Sequence, residues 1–97
     1  MTTTLEERLY MGTRAKELLE NEAFIAAFED IEKGIIESWK ATPARDAEGR
    51  EKLWTYLTLL KKVRTQLQTT LETGKLAQLD LQHQQSIRDK VRDWTGL

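Results

Sequence analysis

The chain contains no cysteine, only one proline and one histidine, and five glycines among its 97 residues. Without cysteine it has no disulfide, no thiolate metal site and no cysteine nucleophile. Its longest apolar runs, residues 23–28 and the interrupted stretch 53–60, are far shorter than the roughly 20 residues needed to span a bilayer. The first residues, with Glu6 and Glu7 close to the start, do not resemble a signal peptide. We therefore expect a cytoplasmic protein that does not interact with membranes.

Neither basic nor acidic residues predominate, because 15 basic and 16 acidic residues leave a net charge of −1. This balance argues against a protein dedicated to coating nucleic acid. The charge is nevertheless uneven, since residues 1–30 carry a net −4 and residues 61–97 a net +3. The simpler interpretation is that the two ends are solvated helix faces, and the alternative is that they attract each other within one molecule or between neighbours in an assembly.

The residues that dominate are good helix formers, namely Glu, Lys, Leu, Ala, Gln and Arg. No stretch alternates apolar and polar residues as a strand does. The sequence therefore predicts one all-α domain over residues 1–97, of a size typical for a single domain. Four helical segments are expected: residues 4–20, residues 22–41, a third that begins between Ala44 and Arg50 and ends at Thr73, and residues 75–94. We recognise no internal repeat.

Local signals set these boundaries. Thr4 with Glu7 has the spacing of a capping box, and Asn21 is a natural N-cap for the second helix. Thr42 and Pro43 end that helix, because the residue before proline avoids the α region. Gly74 is predicted to cap the third helix at its C-terminus.

Apolar residues recur at helical spacing on the last three segments. The second and third helices are long and their connection is short, so they are predicted to form an antiparallel helical hairpin. The first and last helices should flank it in a small bundle whose core is completed by another subunit, which makes a homo-oligomer the expected state. On the fourth helix the apolar face consists of Leu76, Leu79, His83, Ile87, Val91 and Trp94.

No constellation of catalytic residues is present. His83 is the only histidine, and although Asp80 and Ser86 share its side of the helix, catalytic triads converge from separate elements. The chain has no glycine-rich phosphate loop, and Asp46 with Glu48 lacks the rest of a calcium loop. We predict no enzyme activity, no cofactor and no metal site.

Two groups of residues are candidates for contacts with other molecules. Alternating charges around the start of the third helix, together with tryptophans that serve as anchors at many interfaces, suggest partner or assembly contacts at Arg45, Arg50, Lys52, Trp54 and Trp94. Trp39 and Trp54 should lie near each other if the hairpin forms. A basic cluster, formed by Lys61, Lys62 and Arg64, is the candidate for nucleic-acid contacts through phosphates.

The stretch from Trp39 to Trp54 contains a Thr-Pro turn and an Arg-Glu-Lys-Leu-Trp helix start, followed downstream by Val63-Arg64 and by Gly-Lys-Leu-Ala at residues 74–77. It resembles a group of small bacteriophage and prophage helical proteins over about residues 15–80. The resemblance implies a protein encoded near virion-assembly genes, acting in the bacterial host cytoplasm or in the virion. It carries over no activity and no site residues.

Together these features favour a non-enzymatic phage protein that acts by self-assembly and protein–protein contact, as a virion or head-assembly accessory component. A second hypothesis is a small packaging or regulatory factor that associates with nucleic acid. A third is a host-directed inhibitor that binds a bacterial protein or sequesters a small signalling molecule.

Overall fold

The computed structural model describes residues 3–95 and is entirely helical over that range, with no strand. It contains three α-helices: α1 over Leu5–Leu19, α2 over Glu22–Ala41 and α3 over Ala47–Thr95. The all-α class is therefore confirmed, and the bounds of α2 are those predicted.

The predicted caps at the first two helix starts are confirmed. The Thr4 hydroxyl accepts a hydrogen bond from the Glu7 backbone N–H at 3.1 Å. The Asn21 side-chain oxygen accepts one from the Phe24 N–H at 2.9 Å. Each bond satisfies a backbone donor that has no partner within the first turn of its helix, and so fixes where that helix begins.

The connection between α2 and α3 is also built from local chemistry. Thr42 has an extended backbone, as expected for a residue before proline. The Asp46 carboxylate then accepts a hydrogen bond from the Gly49 N–H at 3.0 Å, which is the geometry of a side-chain cap. As a result α3 begins at Ala47, within the predicted interval.

The predicted helix boundary at Gly74 is wrong. The segments expected to be a third helix and a separate C-terminal helix form one helix of 49 residues, so no separate helix flanks the others at the C-terminal end. A glycine inside a helix costs only about 1 kcal/mol relative to alanine. Good helix formers on both sides offset that cost, and Gly74 packs against another helix.

That other helix is α1, which crosses α3 with Gly12 against Gly74. A Cβ atom built on Gly12 would lie 2.7 Å from the Gly74 Cα and 3.2 Å from the Thr70 carbonyl oxygen. A Cβ atom built on Gly74 would lie 2.7 Å from the Gly12 Cα and 3.0 Å from the Arg8 carbonyl oxygen. The two backbones are therefore in direct contact, which only glycine allows.

The two sides of this crossing are nearly equivalent. They share a short sequence repeat, which corrects the expectation that the chain has none. Residues 5–19 and 67–81 share the pattern Leu-x3-Leu-x2-Gly-x2-Ala-x3-Leu, offset by 62 positions. In both segments the residues that are not exposed occupy the same register: 5, 8, 9, 12, 15 and 19 in the first, and 67, 70, 71, 74, 77 and 81 in the second. The five shared residues all lie in this register, so the residues that repeat are the ones at the contact between α1 and α3.

Two contacts between a guanidinium and an aromatic ring join α2 to α3, one at the turn and one farther along the helices. The Arg50 guanidinium stacks on the Trp39 ring at 3.8 Å from the ring centre and donates a hydrogen bond to the Thr42 carbonyl at 3.2 Å. Farther from the turn, the Arg64 guanidinium lies 5.4 Å from the Phe28 ring centre.

The molecule is a long, thin rod rather than a globule. Its extents are 77 × 27 × 16 Å and its radius of gyration is 21.5 Å, against about 12.5 Å for a compact domain of this length. Among residues 3–94, only four apolar side chains are buried, namely Ala15, Phe28, Leu71 and Ala77. Three of these belong to the segments that cross at Gly12 and Gly74, so the densest packing is there. Within residues 3–95, no helix is long and apolar enough to cross a membrane.

The glycine crossing predicts opposite effects for the same substitution at two positions. Gly74→Ala should destabilise the protein by about 1–3 kcal/mol, because the new methyl group would overlap the Gly12 backbone and force the helices apart. Gly34→Ala should stabilise it by up to about 1 kcal/mol, because nothing lies within 4 Å of a Cβ atom there. Thermal unfolding followed by circular dichroism measures both, and a stabilised Gly74→Ala variant would contradict the crossing.

Candidate functional site

Two apolar surfaces on the rod are candidates for binding other molecules. The first is a groove beside the turn between α2 and α3, with a volume of about 270 Å³. We call it the turn groove, and its lining residues are Ile35, Ile36, Trp39, Leu53, Trp54 and Leu57. Trp39 and Trp54 therefore lie on the same groove, as the sequence predicted.

Arg50 connects α2 and α3 beside this groove. It is half-buried, its guanidinium covers Trp39, and it donates hydrogen bonds to the carbonyl oxygens of Thr42 and Trp39. Trp39 lies in the last turn of α2 and its carbonyl also accepts the Thr42 N–H, whereas Thr42 is the residue that caps the helix. Arg50, predicted as a partner contact, is thus engaged in holding the end of α2 to the start of α3.

The other predicted partner contacts lie in different places. Arg45 is exposed in the turn, and Lys52 forms an exposed ion pair with Glu48 at 3.7 Å. Trp54 is 63% exposed at the rim of the turn groove, and Trp94 is 92% exposed near the end of α3. Forty helical residues separate the two tryptophans, a distance of about 60 Å. They cannot act in one site of a single chain.

The predicted nucleic-acid cluster is divided by the fold. Lys61 and Lys62 are exposed on α3. Arg64 instead directs its guanidinium over the Phe28 ring of α2, a contact that contributes about 0.5–1 kcal/mol when exposed. One of the three cations therefore has a role in packing α2 against α3.

The second apolar surface is the exposed side of α3 near its C-terminus. Its five large apolar residues are Leu76, Leu79, Ile87, Val91 and Trp94, and we call them the C-terminal stripe. Their exposed fractions are 67, 61, 49, 55 and 92%. His83 lies in the same line and is exposed. The five apolar residues are those that the sequence placed on one face, and Trp94 is the only one of them that was predicted as a partner contact.

The position of α1 explains why this stripe is uncovered. Successive helical residues are 100° apart around the axis, so Leu76 points about 160° away from Gly74, against which α1 packs. The helix α1 therefore covers the opposite side of α3. Beyond the crossing, every side chain from residue 82 to residue 94 is exposed, so nothing in the described part of the chain packs on this arm.

The uncovered surface is large for a protein of this size. The chain exposes 7956 Å², whereas a folded monomer of 11.3 kDa exposes about 5,700 Å². The difference of about 2,200 Å² exceeds the roughly 800 Å² that each partner contributes to a standard protein–protein interface. Exposed apolar patches of this kind mark sites of protein interaction.

Among residues 3–95 the structure contains no group of three or more His, Asp or Glu side chains placed to hold a metal ion. The remaining cavities are shallow grooves beside the helices, and two of them flank the Gly12–Gly74 crossing. The arrangement offers surfaces for association rather than an enclosed pocket.

The role of Arg50 gives a prediction about stability. Arg50→Lys keeps the charge but loses the planar group that stacks on Trp39 and reaches two carbonyls. We expect it to destabilise the protein by about 1 kcal/mol, which corresponds to roughly 4–8 °C in Tm for a domain of this size. Arg45→Lys, in the same turn but exposed, is the matched control and should leave Tm unchanged. Equal melting temperatures for the two variants would show that Arg50 does not hold the turn.

Comparisons with models of known protein families, with curated proteins and with solved structures found no match to this chain.

Proposed function

We propose that the chain acts without catalysis, by self-assembly and protein–protein contact, as a component of a bacteriophage particle or of its head-assembly apparatus. The observation that carries the proposal is the large uncovered surface, about 2,200 Å² more than a compact monomer exposes. Its apolar part includes the turn groove and the C-terminal stripe. An association that covers these surfaces gives the chain the core that it lacks alone.

In this proposal α2 and the first half of α3 form an antiparallel helical hairpin that acts as a rigid body. The contacts of Trp39 with Arg50 and of Phe28 with Arg64 support it, because residue numbers fall along α3 as they rise along α2. Arg50 fixes one end of this body, and α1 braces α3 at Gly74. The second half of α3 then projects from the body as an arm that carries the stripe.

The phage assignment rests on the resemblance of residues 39–54 and 74–77 to small phage and prophage proteins. An elongated helical rod with an apolar arm suits a role in an assembly, since many copies or several partners can line up along it. In this role the chain works in the cytoplasm of the bacterial host and in the virion.

The oligomeric state of the untagged chain tests the proposal. We expect size-exclusion chromatography with light scattering to give a defined oligomer at both low and moderate salt, because burial of apolar surface is insensitive to screening. The ratio of absorbance at 260 and 280 nm should be that of protein free of nucleic acid.

A monomer at about 100 μM that also stays unassociated with purified phage structural proteins would contradict the proposal. A salt-sensitive species with excess absorbance at 260 nm would contradict it as well, since it would indicate that nucleic acid is the partner. Mass spectrometry of purified particles, which should contain the chain in a fixed ratio to the major structural protein, tests the assignment to the virion.

A further inference from the structure

We propose that the C-terminal stripe of one chain pairs with the same stripe of a second copy, and that the two arms run antiparallel about a twofold axis. The inference rests on the proposed function and specifies its partner, its surface and its geometry. Three observations carry it: the spacing of the apolar residues, the charges at the edges of the stripe, and the area that remains uncovered.

The spacing of the stripe is the same in both directions. Its positions are 76, 79, 83, 87, 91 and 94, so successive steps are three, four, four, four and three residues. A stripe with this symmetry matches its own reverse. In the antiparallel pair Leu76 lies opposite Trp94 of the second copy, Leu79 opposite Val91 of the second copy, and His83 opposite Ile87 of the second copy.

Two pairs of charged residues beside the stripe are complementary in the same alignment. In an antiparallel pair each edge of one stripe meets the same edge of the other. Asp80 and Arg88 lie on one edge, and Lys75 and Asp93 lie on the other. The alignment therefore places Asp80 beside Arg88 of the second copy and Lys75 beside Asp93 of the second copy. Because of the twofold symmetry, each of these pairs occurs twice in the dimer.

A parallel pair is less favourable because of what lies upstream on α3. Lys61 and Lys62 are on the same side of the helix as Leu76, and both are exposed. Parallel arms would bring these lysines of the two copies towards each other, and like charges repel. In the antiparallel pair the lysine pairs lie at opposite ends of the dimer, so the repulsion is absent.

The stripe is open to a partner, because its five large apolar side chains are between 49 and 92% exposed. The whole chain exposes about 2,200 Å² more than a compact monomer, and part of that excess lies on this arm, where a standard interface would bury about 800 Å² from each partner.

An exchange of charges in the full-length chain tests the alignment. Asp80→Arg and Arg88→Asp, each made singly, place like charges together at two points of the dimer. Each should raise the dimer dissociation constant about tenfold at low salt. The double variant restores both opposite-charge pairs and should return the constant to within about threefold of the unmodified chain.

The two residues are eight positions apart on one helix, too far to pair within a chain, so recovery in the double variant reports a contact between copies. Analytical ultracentrifugation measures the constants, and circular dichroism verifies that each variant remains helical. Single variants that dimerise like the unmodified chain, or a double variant weaker than either single one, would overturn the antiparallel pairing.

Cysteine crosslinking gives a second readout, because the chain has no cysteine of its own and a single one reports only contacts between copies. Gln84→Cys lies beside the twofold axis, so mild oxidation should convert most of the protein to a covalent dimer. Thr65→Cys, exposed on the same helix, is the control. Its two copies would be about 60 Å apart in the antiparallel pair and should stay unlinked. Efficient crosslinking at position 65, or none at 84, would refute the alignment.

A matched pair of substitutions separates failure of this inference from failure of the proposed function. Val91 in the stripe and Val63 outside it are 55% and 51% exposed on the same helix. Val91→Lys should abolish the dimer, whereas Val63→Lys should leave it intact. If the unmodified chain dimerises and Val91→Lys does so equally well, the stripe is not the interface, although self-assembly stands. If the unmodified chain neither self-associates nor binds phage structural proteins, both are wrong.

Discussion

The contact between the Gly12 and Gly74 backbones is the constraint on which the rest of this rod depends. With no side chain on either residue, two helices approach until a Cβ atom on one would lie 2.7 Å from the Cα of the other. Such closeness increases the number of dispersion contacts between backbones and neighbouring side chains. Three of the four buried apolar residues belong to the segments that meet there. Without this crossing α1 has little to pack against, because its contacts with α2 are few.

The crossing also determines which side of α3 faces other molecules. By covering the face that contains Gly74, α1 leaves the opposite face of the same helix open. The apolar residues on that face are spaced for packing against a helix, yet neither of the other two helices that the structure describes is placed to cover them. Two parts of α3 therefore differ in what they contact. Its first half and Gly74 pack against the other helices, and the outward face of its second half is uncovered.

The sequence predicted most where the signals are local. The side chain of Asn21 and the Thr42–Pro43 pair act on their own neighbours, and the bounds of α2 followed from them. Gly74 was misinterpreted because a glycine at a helix end and a glycine at a helix crossing look alike over a few residues. What distinguishes them here is Gly12, 62 positions away, and a contact at that separation has no signal in a local window. The repeat of Leu, Leu, Gly, Ala and Leu in the same register was the signal that could have revealed it.

For the C-terminal stripe the sequence predicted the face but not its exposure, since periodicity shows which residues share a side and not what covers them. A partner that binds the helical form of this arm would stabilise that form by mass action. The turn groove differs in this respect, because Arg50 and the caps hold it within one chain. The molecule therefore combines a body that contacts within one chain hold together with an arm whose apolar face is left uncovered.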